Sequence, residues 1–77
     1  MKVVFSDHAS LKVEQRRLSR EKVLAVVARP DLRRPTYGGR EEWFKRFGKN
    51  YLEVVIVREH DTIVIVTAHW VARTPKK

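Results

Sequence analysis

The sequence predicts an α+β domain, with two N-terminal helices packed on an antiparallel sheet of three or four strands. Three observations carry that prediction. Residues 51–70 contain two runs dense in β-branched and aromatic residues, Tyr51 to Arg58 and Thr62 to Trp70, separated by the polar triplet Glu59-His60-Asp61. Such runs fit a pleated surface, and the triplet suits a hairpin loop. Upstream, Ser6 and Ser19 each stand where a side-chain oxygen can cap the start of a helix. Pro30 then ends the helical region, because its ring clashes with a continuing helix and disfavours helical geometry at Arg29. A hairpin does not bury its own apolar residues, so the helices and further strands must cover it.

In chain order, Lys2 to Phe5 is a short apolar lead that reads as an edge strand. The first helix runs from about Asp7 to Arg17, with Asp7 placed where a negative charge suits the helix dipole. Ala9 and Val13 lie on its buried side, flanked by Leu11 and Leu18. The second helix runs from about Arg20 to Ala28, and Val23, Leu24, Val26 and Val27 cover the sheet. Leu32 to Tyr37 is an edge strand, since it contains Pro35. Gly38-Gly39 forms a turn that needs positive φ. Arg40 to Phe47 is the next strand, and Gly48-Lys49-Asn50 turns it into the hairpin. The tail from Ala72 is basic and frayed.

Register decides which side chains meet. A three-residue loop at 59–61 pairs Arg58 with Thr62 and yields the pairs 56/64, 54/66 and 52/68. Leu52, Val54, Ile56, Val64, Val66 and Ala68 then form the core face. The opposite face carries Val55, Val57, Ile63 and Ile65 near the turn, and Tyr51, Glu53, Thr67 and His69 at the far end. A two-residue loop would slip the register and mix these sets.

At 77 residues the chain is one domain, residues 1–77, with one core. It has no run of 18 apolar residues to span a membrane and no apolar N-terminal segment of the secretory kind. With no cysteine there are no disulfides or thiolate metal sites, which fits a cytoplasmic protein. The net charge of +8 is uneven. Residues 51–70 carry one basic and three acidic residues, a balance of −2, which leaves 16 basic and 6 acidic residues elsewhere, a balance of +10. A basic shell around a mildly acidic scaffold attracts polyanions. The alternative is a soluble surface of thermophile-like composition.

Several short motifs together resemble an uncharacterised family of short domains related to the RelE/ParE-like toxins. They are His8-Ala9 and Arg16 in the first helix, Leu18-Ser19 and Val23-Leu24 around the second, Pro30-Asp31 after it, and Val64-Ile65-Val66-Thr67-Ala68 in the last strand. The chain departs from the family pattern with Lys12 in place of Arg, Arg17 in place of Gly, Arg29 in place of Asn and His69 in place of Tyr. The resemblance implies a RelE-like fold. The better-known relatives cut ribosome-bound messenger RNA or inhibit gyrase, and antitoxins wrap around them. Their active-site residues vary too much to be carried onto this chain.

Two constellations are candidates for chemistry. His8, Lys12 and Arg16, at i, i+4 and i+8, make one stripe of cationic residues on the first helix, suited to a phosphate backbone or else simply solvated. A second three-residue loop at 48–50 would place Trp43, Lys45, Phe47, Tyr51, Glu53, Thr67 and His69 on one open face. Aromatics interleaved with cations suit stacking on unpaired bases. His69, Tyr51 and Glu53 are then candidate acid–base groups, with Lys45 or Arg73 holding the phosphate charge and Arg46 a further phosphate contact. The same face could equally be a second small core or a dimer interface. The histidines have no metal-ligand spacing, so neither a metal nor another cofactor is expected.

The expected function is RNA binding by a toxin-like domain, extending to metal-independent cleavage of messenger RNA, with RNA or the ribosome as partner and an acidic antitoxin alongside. The rival is a non-catalytic module of the same fold that binds a protein, or a second copy of itself, through the open sheet face. No membrane partner is expected.

Overall fold

Both serine caps form. In the computed structural model, which describes residues 2–72, Ser6 accepts from the Ala9 N–H at 3.0 Å and Ser19 from the Lys22 N–H at 3.2 Å. They open α1 (Asp7–Gln15) and α2 (Arg20–Ala28). The strands are β1 (Lys2–Phe5), β2 (Leu32–Pro35), β3 (Arg40–Phe47), β4 (Asn50–Glu59) and β5 (Thr62–Val71), with a single 3₁₀ turn at Tyr37–Gly39 before β3.

Helix α1 ends at Gln15, not Arg17, and the reason is local. Arg17 adopts φ 54°, its N–H donates to the Glu14 carbonyl at 3.1 Å, and the Leu18 N–H donates to the Val13 carbonyl at 2.9 Å. This is the paired closure that usually carries glycine in the left-handed position. Leu18 and Val13 are both buried in the core, which supplies the apolar contact that accompanies it. The tight closure lets Ser19 begin α2 at once.

The sheet has five strands in the order β1-β5-β4-β3-β2, and it is mixed. The expected antiparallel meander is present as β2 to β5, but β1 adds a fifth strand, parallel to β5, with Val3 opposite Ile63 and Phe5 opposite Ile65. The two helices lie on one face, α1 against β5 and β1, α2 against β4 and β3. The core they enclose joins Ala9, Val13, Leu18, Val23 and Val26 to Trp43, Leu52, Val54, Ile56, Ile63, Ile65 and Ala68. Leu11 and Leu24, expected to flank or cover the core, are half-exposed instead.

The central hairpin departs from its expected register in two steps. Its loop holds two residues, His60 and Asp61, so Glu59 pairs with Thr62 and Ile56 with Ile65. A one-residue slip exchanges faces, and Ile63 and Ile65 enter the core in place of Val64 and Val66. A bulge then leaves Val66 unpaired, so that Val55 faces Thr67 and Glu53 faces His69. The second slip restores the expected faces, with Leu52, Val54 and Ala68 inside.

Replacing Arg17 with glycine should stabilise the fold. Left-handed backbone costs an L-residue about 1–2 kcal/mol, and the freedom that glycine has when unfolded offsets part of the gain. The expected net is about 0.5–1 kcal/mol, or roughly 2–8 °C in Tm for a domain of this size. A thermal melt followed by circular dichroism checks this, and an unchanged or lower Tm would contradict it.

Candidate active site on the open sheet face

The β3–β4 loop also holds two residues. Phe47 pairs with Asn50, and Gly48 takes φ 66° at the first loop position, where a tight hairpin needs glycine. The expected three-residue loop would have put Trp43, Lys45 and Phe47 on the open face. They lie on the helix side instead. Trp43 is 3% exposed, donates from Nε1 to Glu41 at 3.0 Å, and has the Arg33 and Arg58 guanidinium groups over its ring at 5.3 and 5.5 Å. Lys45 donates from Nζ to the Arg29 carbonyl at 3.0 Å. Neither side chain faces the acid–base groups, because a one-residue slip turns a whole strand over.

What β3 presents on the open face is Glu42, Phe44 and Arg46. That face is sheltered in places although no helix covers it: Phe44 is 1% exposed, Glu53 8% and Val55 9%. In register, Phe44 lies between Leu32 and Glu53, and Arg46 lies opposite Tyr51. Arg46 is exposed, with Nε donating to the Gly48 carbonyl at 2.8 Å. Tyr51 is half-buried on the same face as Glu53.

Across this face runs a polar row to which four adjacent strands each contribute one side chain. Arg34 of β2 meets Glu42 of β3, Nε to Oε1, at 2.6 Å. The Glu42 side chain hydrogen-bonds Glu53 of β4. Glu53 Oε1 lies 3.2 Å from His69 Nε2 on β5. At the edge, where β1 has ended, Arg16 donates to the Ala68 carbonyl at 2.7 Å, and its positive charge acts on His69. Of the helix stripe, Arg16 alone reaches the sheet in this way. His8 is exposed, Lys12 is half-buried, and among the described residues neither makes a side-chain hydrogen bond. Arg73 lies outside the described residues.

The charges in the row are not those of a simple chain of ion pairs. Burial pushes the Glu53 carboxyl up to about 7, helped by its hydrogen bond to Glu42 and by the Glu42 charge, against the pull of Arg34. Burial also raises Glu42, but the Arg34 hydrogen bond, the Glu53 hydrogen bond and the charges of Arg34 and His69 together hold it below its ordinary value. His69 is pushed down by burial and by Arg16, against the Glu42 charge. The 3.2 Å contact alone suggests an ion pair between Glu53 and His69. Burial, the largest cause at both residues, disfavours it. Burial thus favours the protonated form of Glu53, hydrogen-bonded to Glu42, and the neutral form of the His69 ring.

The row thus pairs a carboxyl that titrates near neutrality with an imidazole, flanked by arginines. Of the pair, His69 is the more accessible, its side chain 40% exposed against 10% for Glu53. The sequence alone brings Tyr51, Glu53 and His69 to one face but does not bring Glu42 and Arg34 to them. A signal is present in Gly48, whose place fits a two-residue loop and turns Glu42 towards Glu53.

Residues 5–70 match a family model described as a domain of unknown function, DUF4258. The chain belongs to the DUF4258 family. The match takes in both helices and β2 to β4, and β5 as far as Trp70, so Arg16, Arg34, Glu42, Glu53 and His69 all fall inside the family domain. No curated protein and no solved structure matches this DUF4258 chain. No helix among its described residues is long and apolar enough to cross a membrane.

Glu53 makes stability depend on pH. A carboxyl whose pKa is raised on folding binds its proton more tightly in the native state, so its contribution is complete below the unfolded value near 4.5 and is lost as pH rises through about 7. His69, lowered on folding, acts in the opposite sense below its ordinary value. Glu53→Gln removes the first effect and keeps the second. The variant should match the parent at pH 4.5 and exceed it by up to about 3 kcal/mol at pH 8, since each tenfold change in proton affinity on folding is worth about 1.4 kcal/mol. Urea unfolding across that range checks the difference; an equal gap at both ends would contradict it.

Proposed function

We propose that this DUF4258 domain binds single-stranded RNA and cleaves it without a metal, as a toxin-like endoribonuclease related to the RelE/ParE group. The observation that carries the reading is the Glu53–His69 contact on an open strand face, with Arg16 beside it. Two N-terminal helices followed by an antiparallel run of strands support the RelE-like kinship. The strongly basic chain supports a polyanionic substrate, with the ribosome as its setting and an acidic antitoxin as its counterpart.

In this mechanism neutral His69 takes the proton of a ribose 2′-hydroxyl. The freed oxygen attacks the adjacent phosphorus, an O2′–P bond forms and the P–O5′ bond breaks. The products are a 2′,3′-cyclic phosphate and a 5′-hydroxyl end. Glu53 orients the imidazole and stabilises it once protonated, which a carboxyl ionising near pH 7 can do as the proton arrives. Arg16 and Arg46 face the charge that develops on the phosphate. Tyr51, on the same face, is the hydroxyl that can protonate the leaving oxygen.

His69→Gln should reduce the single-turnover rate of RNA cleavage in the presence of EDTA by about 10²–10⁴-fold, with affinity for RNA kept within a few-fold. A variant that cuts as fast as the parent would remove His69 from the chemistry. A parent that binds RNA and never cuts it, with or without ribosomes, would make the domain a binding module.

A further inference from the structure

The 3₁₀ turn between β2 and β3 projects the most exposed large hydrophobic side chain among the described residues, Tyr37, 92% exposed. Gly38 and Gly39 follow it at φ 67° and 74°, and a Cβ built on either would meet no atom within 4 Å. The turn therefore stands clear of the body of the protein. Beneath it is a cleft of about 380 Å³ lined by Tyr37, Arg40, Glu42 and Val55, among others. Arg40, Glu42 and Val55 belong to the open face of the sheet, so the cleft and the Glu53–His69 pair share one surface. Glu42 belongs to both, lining the cleft and bonding Glu53. Neighbouring strands lie ~4.8 Å apart and residues ~3.3 Å along a strand, so Glu42 on β3, in register with Val55 and Thr67, is roughly 12 Å from His69 on β5.

We propose that this cleft takes an unpaired nucleobase stacked on Tyr37, with the attached phosphate held by Arg40, on the same strand face as the bond that is cut at His69 and further along the RNA from it. The inference rests on the RNA-cleaving reading above and gives that site its substrate grip. An exposed tyrosine ring offers a face to any base, and Val55 supplies an apolar floor under the base edge. Arg34, opposite Glu42 on the adjoining strand, adds positive charge on the same face along which the backbone would run. A solvated turn would gain nothing from holding an aromatic ring in water, whereas a stacking platform needs one there.

The test measures binding of a short 2′-O-methyl RNA, which lacks the attacking hydroxyl, by fluorescence anisotropy at several salt concentrations. Tyr37→Ala should weaken binding about tenfold without changing the salt slope, and Tyr37→Trp should restore it. Arg40→Ala should weaken binding and reduce the log–log salt slope by about 1. If the parent binds and Tyr37→Ala binds equally well, the stacking site is wrong and the RNA reading stands. If the parent does not bind at all, both fail. If binding follows these expectations but the parent does not cleave the unmodified RNA, the stacking site stands and the catalytic reading fails.

Discussion

The unpaired Val66 in β5 is the constraint on which the rest depends. On the turn side of this bulge, Ile63 and Ile65 point at the helices; beyond it, Ala68 resumes that role. Without the extra residue, β5 would bury Thr67 and His69 under the helices or else expose its isoleucines. The bulge satisfies both halves of the strand, and in doing so sets His69 opposite Glu53. The chain on either side is fixed independently. Ser6 bonds the Ile65 carbonyl through its N–H at 3.0 Å, and Arg16 holds the Ala68 carbonyl at 2.7 Å. Bulges are common where a strand must re-aim a side chain near a site.

The energetic cost falls on Glu53. A carboxyl that is 8% exposed cannot ionise freely, and the domain accepts a residue that destabilises it as pH rises. A leucine or glutamine there would serve the fold better. Retaining an ionisable group against its own stability is the pattern expected of a chemical site, and the partners of Glu53 fit that pattern. Arg34 binds Glu42 and the Arg16 charge acts on His69, so each end of the row has a guanidinium while burial at its centre favours a protonated Glu53. The apolar half of the same face, with Val57 and Val64 only half-buried, has no comparable grouping.

Much of this is legible in the sequence, and most of the failures on the sheet share one cause. Ser6, Ser19 and Pro30 mark both helices because caps and proline act locally. The bounds of β3 are readable for the same reason, lying between Gly39 and Gly48. Register is not local. The hairpin loop reads as three residues where there are two, and the bulge has no sequence signature, since Val66 looks like its neighbours. The two slips together shift the far end of β5 by an even number of positions, which is why Tyr51, Glu53 and His69 still share the expected face while Ile63 and Ile65 do not. In β3 a single slip goes uncorrected, so Trp43 and Lys45 turn inward and Glu42 takes a place on the open face that the sequence does not announce. The parallel strand β1 escapes placement because four residues of an apolar lead do not say which edge they join.

Glu53 is held near neutrality by its place in the row, and a carbon-detected NMR titration of its side-chain carboxyl measures that directly. The expected midpoint is about 7 in the parent. In Glu42→Gln it should fall yet remain above the ordinary carboxylate range, since burial is the largest cause and survives the substitution. A midpoint near 4.5 in the parent would mean that Glu53 is an ordinary ionised partner of His69, and the row would then be a structural ion-pair chain without the acid–base character proposed for it.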